Sequence, residues 1–410
     1  MTSPATHNVW RVFSAVPHRM FFLTGAAQLV LVMAWWLVDL TGRYAALHAP
    51  IAWTASPPDA HAFLMLFGIF PFFMFGFLMT VYPRWMNGEL VERRFYVPAS
   101  LLMSAGMAVF YPGLLWKGAL AVSALLYLVG WGIGLAALRR VYLRAKHPDK
   151  RHARITGTML AFGAAMSAGW YAGIFFNWNF PLTLVKNAGV WLFLLPIFFA
   201  VSHRMIPFFS ANVIPNYTIV RPDWALMVVP PAALVHLALE MAGCVAWTWI
   251  PDLAIAATAL YLTRAWRFRA SFAQPILAML HIGFAWLGIA ALLFAAQSFA
   301  ALCGMEILAK APLHALTIGY FGGMVLAMVT RVTLGHSGRL LVVEKSVWWM
   351  FLLFQLTALF RIIGDLPGLP PAARGHSYLC AAALWLLCFT FWATRYLPIY
   401  WRPREDGQPG

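Results

Sequence analysis

The sequence predicts an all-α, polytopic integral membrane protein with about twelve transmembrane helices and both termini in the cytoplasm. Three observations carry that expectation. Of 410 residues, 62% are hydrophobic and 10% charged, whereas a soluble domain carries roughly a quarter charged residues. Apolar runs long enough to cross a hydrocarbon layer of ~30 Å recur along the whole chain. The Lys and Arg residues fall in short clusters on alternate connections between those runs. The net charge of +16 invites a nucleic-acid partner, but clusters split by apolar blocks form no continuous basic face, so no nucleic acid is expected. The lipid bilayer is the expected partner of most of the surface.

The runs lie near 20–40, 60–82, 98–116, 118–138, 156–176 and 183–201, then near 224–243, 245–262, 273–297, 308–330, 346–364 and 376–397. They form a single transmembrane domain over 1–410 with no room for a soluble one. Helices are the assignment because an open strand leaves its backbone unsatisfied in lipid. The residues before the first run contain no apolar signal-peptide core, so 20–40 is expected to be a true span. With the N-terminus inside, all but six of the 29 Lys and Arg residues lie on the inner side. The six are Arg43, Lys117, Lys186, Lys310, Arg361 and Arg374. This is the positive-inside pattern, and it gives the orientation.

Within the spans, Pro71 and Pro196 are expected to kink their helices. Gly130/Gly134, Gly169/Gly173 and Gly319/Gly323 are spaced for close helix packing, and the last pair also suits a flat cofactor lying against it. Cys244, Cys303, Cys380 and Cys388 lack paired spacing and read as small buried hydrophobes.

Ionisable groups inside a membrane are costly and point to function, so the 12 histidines are sorted by depth. His61, His236 and His314 fall toward the outer side, and His203, His281 and His336 toward the inner side. His48 and His376 sit in outer loops. His7, His18, His147 and His152 lie in basic inner segments and are expected to be solvated. From His314 to Arg331 a continuous helix rises about 25 Å, so His314 and His336 cannot bind one metal on an unbroken helix. His61, His203, His281, His314 and His336 are therefore metal-ligand candidates in two groups, since imidazole suits haem iron and copper alike. The alternative for each is a hydrogen bond to a neighbouring helix. His236 and Glu240 share one helix face and suit a hydrogen-bonded pair or a proton-accepting site as well as ligation. Met324 and Met328 are soft enough for copper, with packing the alternative.

The stretch Arg331-Val-Thr-Leu-Gly-His336-Ser-Gly-Arg339 combines two forked cations with glycines that admit a ligand to the backbone. An anion such as a haem propionate is one fit, and a basic inner loop is the other. Arg204, in His203-Arg204-Met205-Ile206-Pro207-Phe208-Phe209, leaves a span on the same side. Arg204, Arg331 and Arg339 are the candidate propionate partners.

HALTIGYFGGMVLAMVTRVTLGHSGRLL at 314–341 resembles the C-terminal signature of the NnrS family. HRMIPFF at 203–209, MLHIGFAWLG at 279–288, HAFLMLFGIFPFFMFGFLMTVYPRW at 61–85 and PHRMFFL at 17–23 are similar to further blocks of that family, in family order. The resemblance implies a bacterial inner-membrane protein of twelve spans that carries haem, here taken as haem b, and copper. It also implies a role in denitrification or the response to nitric oxide, with His61, His281 and His314 as the main haem-ligand candidates. A quinol or an electron-donor protein would then be a partner. Where the family pattern has a second histidine and a glutamate after His61, this chain has Phe63 and Leu64. Two other functions stay open at this point: a transporter of metal, haem or a small molecule, and an electron-transfer subunit with bis-histidine haems.

Overall fold

The computed structural model describes residues 9–407. Among them, twelve helices are long and apolar enough to cross a membrane, and no strand occurs. They are α1 (Pro17–Tyr44), α2 (Pro57–Met86), α3 (Arg93–Gly113), α4 (Lys117–Arg144), α5 (Arg151–Phe176) and α6 (Asn179–Ala211). There follow α7 (Asp223–Met241), α8 (Val245–Ala265), α9 (Pro275–Leu302), α10 (Ala311–His336), α11 (Lys345–Ile363) and α12 (Pro371–Trp401). Each predicted run corresponds to one of these helices. An even number of crossings puts both chain ends on one face, called here the termini face, opposite the far face.

Local chemistry sets the helix ends. Pro17, Pro57, Pro275 and Pro371 stand at helix starts, where the missing N–H has no intrahelical partner to lose. The Ser56 hydroxyl accepts from the Asp59 amide and caps α2. Asn87 and Asn177 end α2 and α5 in the left-handed conformation, which asparagine tolerates well.

Burial divides the bundle. In the apolar stretches of α2 and α10, 89% and 83% of residues are buried inside the protein, and α9 and α6 follow. These four form the centre. The other eight turn more than half of their apolar stretches outward, as lipid-facing helices must.

Three of the central helices carry a π-helical stretch: Leu64–Ile69 in α2, Gly189–Leu194 in α6 and Ala315–Gly322 in α10. Two of them run directly into the regions of Pro71 and Pro196. A proline supplies no N–H to the carbonyl four residues back and pushes it aside, and a wider turn absorbs both effects. The α10 stretch has no proline. His61 lies three residues before the first π stretch and His314 immediately before the third.

Glycines set the closest approaches. A Cβ on Gly130 would lie 2.7 Å from the Met103 backbone nitrogen and 2.9 Å from the Ala99 carbonyl oxygen, both on α3. Nothing lies within 4 Å of one on Gly132. Gly130→Ala is therefore expected to lower detergent-state stability by about 1–3 kcal/mol through overpacking. Gly132→Ala, which only removes a weak helix former, should melt at or above the wild-type temperature. At Gly319 the flat group is the protein's own Trp286 indole, 2.4 Å from where a Cβ would stand, and Gly323 faces the Gly283 backbone. Close helix packing thus accounts for this pair. Cys388 is buried as expected, whereas Cys244, Cys303 and Cys380 are exposed, because two follow helix ends and one faces outward on α12.

The bundle closes on itself: α12 packs against both α11 and α1, and the Trp385 indole donates to the Leu29 carbonyl at 2.8 Å. On the termini face, Arg151 binds Asp149 and Asp223 at 3.0 and 2.5 Å, Arg140 binds Glu92 and Arg144 binds Glu89. Arg151 holds the Asp149 carboxyl well below the usual range, and Arg94 lowers that of Glu92. A depressed folded-state pKa contributes stability above the ordinary carboxylate value, about 4, that is lost as pH falls toward the folded value. The melting temperature should thus hold from neutrality to mild acid and fall below that. Molar salt should flatten the fall, because these pairs are exposed.

Candidate functional site

The buried histidines gather in two layers. On the far face, His61 stacks on Trp36 with ring centroids 4.0 Å apart, and its Nδ1 is buried without a partner. His314 lies at the same end of the bundle, where the charge of Arg361 acts on both histidines and that of His61 acts on His314. The His314 Nδ1 is 2.8 Å from the Lys310 carbonyl. A carbonyl only accepts, so Nδ1 carries the hydrogen and the Nε2 lone pair is left free. This is the arrangement common to metal-binding histidines, whose second nitrogen is anchored to a carbonyl or carboxylate.

The termini-face layer contains two pairs. The rings of His18 and His336 are 4.8 Å apart, and the charges of Arg19, Arg84 and Arg404 act on His18. His18 is 4% exposed with Nδ1 unpartnered. The second pair is His152 Nε2 with His203 Nδ1 at 3.1 Å, while His203 Nε2 donates to the Pro222 carbonyl at 3.1 Å. That carbonyl fixes the tautomers in turn: His203 Nδ1 accepts, His152 Nε2 donates, and the buried, unpartnered His152 Nδ1 keeps a free lone pair.

These contacts correct one expectation. His18 and His152, read as solvated, are both buried. Their partners, His336 and His203, come from remote parts of the chain, so neighbouring charge gave no sign of them. His147 is exposed as expected, and His7 lies outside the described residues.

The remaining candidates lie near this layer without forming one cluster. His281 Nε2 is 3.0 Å from the Ser210 hydroxyl. Arg204 lies over the Trp85 ring at 4.9 Å. Arg339 binds Glu405 at 2.7 Å, and the Asp406 carboxylate covers Gly338, so the chain's own tail supplies anions to the 336–339 loop. Arg331 differs from the others. It is 4% exposed, it faces Phe209 at 4.0 Å, and its Nε and Nη1 have no partner. Phe63 stacks on Trp170 at 4.3 Å and on Phe110 at 5.0 Å, so aromatic packing surrounds this position.

Between the layers, α1, α2, α6 and α10 line a partly open cleft of about 60 Å³. Its walls are mostly apolar, with Phe70, Phe73, Phe77 and Phe198 among them, and Met324 and Met328 are also lining residues.

The NnrS protein model matches residues 12–404, nearly the full length. The chain belongs to the NnrS family. No curated protein sequence matches it. The haem and copper associated with the NnrS family can be tested against this geometry. Among the described residues, no three His, Cys, Asp or Glu side chains are grouped to hold a metal ion. Pairs and single free lone pairs are what the NnrS chain offers. A haem iron takes four ligands from its macrocycle and needs only one or two from protein, and the unpartnered donors of Arg331 suit a carboxylate such as a propionate. The residues fit a haem. A bare copper ion needs more donors, and the soft side chains among the cleft's lining residues include Met324 and Met328.

Proposed function

We propose that this chain is a haem-carrying membrane protein that binds or turns over nitric oxide, or protects against it, in a bacterial inner membrane with its termini face in the cytoplasm. The observation that carries the reading is His314, whose Nδ1–H is anchored to the Lys310 carbonyl while Nε2 stays free. His61 is the neighbouring candidate on the same face. His281 remains a haem-ligand candidate beside Ser210, and His18 with His336 forms the ligand pair at the termini face.

When bound, a haem would supply an iron able to take diatomic ligands such as nitric oxide. The chain's own residues would anchor its iron through imidazole, pair its propionates with Arg331 or with the arginines around His18, and keep water away with aromatic walls. Copper is proposed as the second cofactor and a quinol or donor protein as the source of electrons. Because nitric oxide is small and weakly polar, the apolar space between the layers is permeable to it.

Paired histidines near both faces favour one other reading, an electron carrier with a bis-histidine haem at each. A single set of spectra separates the two. Purified protein is assayed for haem, and reduced-minus-oxidised spectra are recorded with and without nitric oxide. Stoichiometric haem whose bands move with nitric oxide supports the proposal. Two haems indifferent to nitric oxide support electron transfer, and protein free of haem after expression with ample haem defeats both.

A further inference from the structure

A different group of titratable side chains, His236 and Asp252 buried and Glu240 half-buried, lies at the far-face end of α7 and α8. His236 Nδ1 and Asp252 Oδ1 are 2.6 Å apart and join the two helices. His236 is 4% exposed and Asp252 fully buried. The imidazole lies flat on Trp191, with centroids 3.6 Å apart, and meets the edge of Phe294. Asp252 Oδ2 has no partner, nor has Glu240 Oε2. Glu240 follows His236 by one helical turn on the same face and stands one residue before the end of α7.

A buried carboxylate is disfavoured unless paired. Two carboxylates and one imidazole cannot all be neutralised by ionisation alone, because the imidazole supplies one positive charge at most. Such a set is able to hold one shared proton. Two lysines lie nearby. Lys186, on α6, is bound to Asp59 at 2.6 Å, and Lys310, from the connection before α10, acts on Glu240. The Cys244 thiol is turned to the Ala242 carbonyl. α6 and α9 present Trp191 and Phe294 to the imidazole.

We propose that Glu240, His236 and Asp252 form a proton-loading site that exchanges with water on the far face only. A proton from that water first binds the Glu240 carboxylate. Its O–H bond then breaks as an N–H bond forms at His236 Nε2, while Nδ1–H stays on Asp252. The result is an imidazolium between two carboxylates, and the reverse steps release the proton. No electron or other atom moves. The site gives the protein a proton-coupled step at one face, and it depends on no cofactor.

The test uses the full-length protein in lipid. Infrared difference spectra are recorded as pH is stepped through neutrality, in H2O and in D2O, for wild type, Glu240→Gln and Asp252→Asn. A dye-monitored pH jump counts the protons exchanged. The wild type should show a carboxyl C=O band that shifts in D2O. Glu240→Gln should lose it and exchange about one proton fewer per molecule, with an unchanged melting temperature because Glu240 Oε2 bonds nothing. If Asp252→Asn unfolds, Glu240→Gln decides alone. An unchanged band and proton count in Glu240→Gln would make the His236–Asp252 bond a structural latch and overturn the proposal.

Discussion

If the proposed far-face haem is held by His314, His314→Ala is expected to remove it while leaving the helix bundle folded. The side chain's only hydrogen bond is to the Lys310 carbonyl one turn back, and that carbonyl lies at a helix start where water can replace the donor. Stability should thus change by no more than about 1 kcal/mol. Loss of a ligand is the larger effect, since even groups that merely orient ligands are worth 10–100-fold in metal affinity. The check is the ratio of haem absorbance to protein, with circular dichroism as the control for folding. Free imidazole in the buffer should restore part of the haem, because it supplies the missing nitrogen. Full haem in His314→Ala would move the ligand to the termini face, and His18→Ala would then be the variant that loses it.

Arg331→Met should act in opposite directions on the empty and the haem-loaded protein. Arg331 is a buried cation with two unpartnered nitrogens, and its visible compensation is the Phe209 ring. Replacing such a charge by an apolar side chain of similar length should raise the stability of haem-free protein by about 1–4 kcal/mol. If Arg331 holds a propionate, the same change should speed haem loss, because a carboxylate would lose its partner at depth. Melting curves on haem-free protein and transfer of haem to an acceptor globin measure the two effects. A destabilised haem-free protein would mean that Arg331 is a structural strut and would remove it from the proposed site.

Much of the architecture was legible because a bilayer imposes length and apolarity on every crossing. The twelve runs needed nothing from tertiary structure, and Pro71 and Pro196 announced two of the three π stretches. The third, after His314, had no such marker, since it arises where α10 meets Trp286 of α9. The site was legible in part. His61, His281, His314 and Arg331 were singled out by depth and motif, and each is wholly or partly buried. His18 and His152 were missed because only the fold brings His336 and His203 to them. Asp252 was missed for the same reason: it looks like an ordinary helix-start acid until α8 packs on α7 and buries it beside His236. Periodicity reports which face a residue occupies, whereas a pairing between remote segments leaves no trace in spacing.

The contact between α12 and α1 has a consequence for how the protein is made. Synthesis proceeds from the N-terminus, so α1 enters the membrane first and α12 last. The seam on α1 around Leu29 cannot be covered until Trp385 arrives, and Arg19 cannot reach the Arg402 carbonyl, 3.1 Å away, until α12 is in place. His18 acquires His336 only after α10 has been inserted. The first of the twelve helices to be made therefore waits for the last to complete its packing.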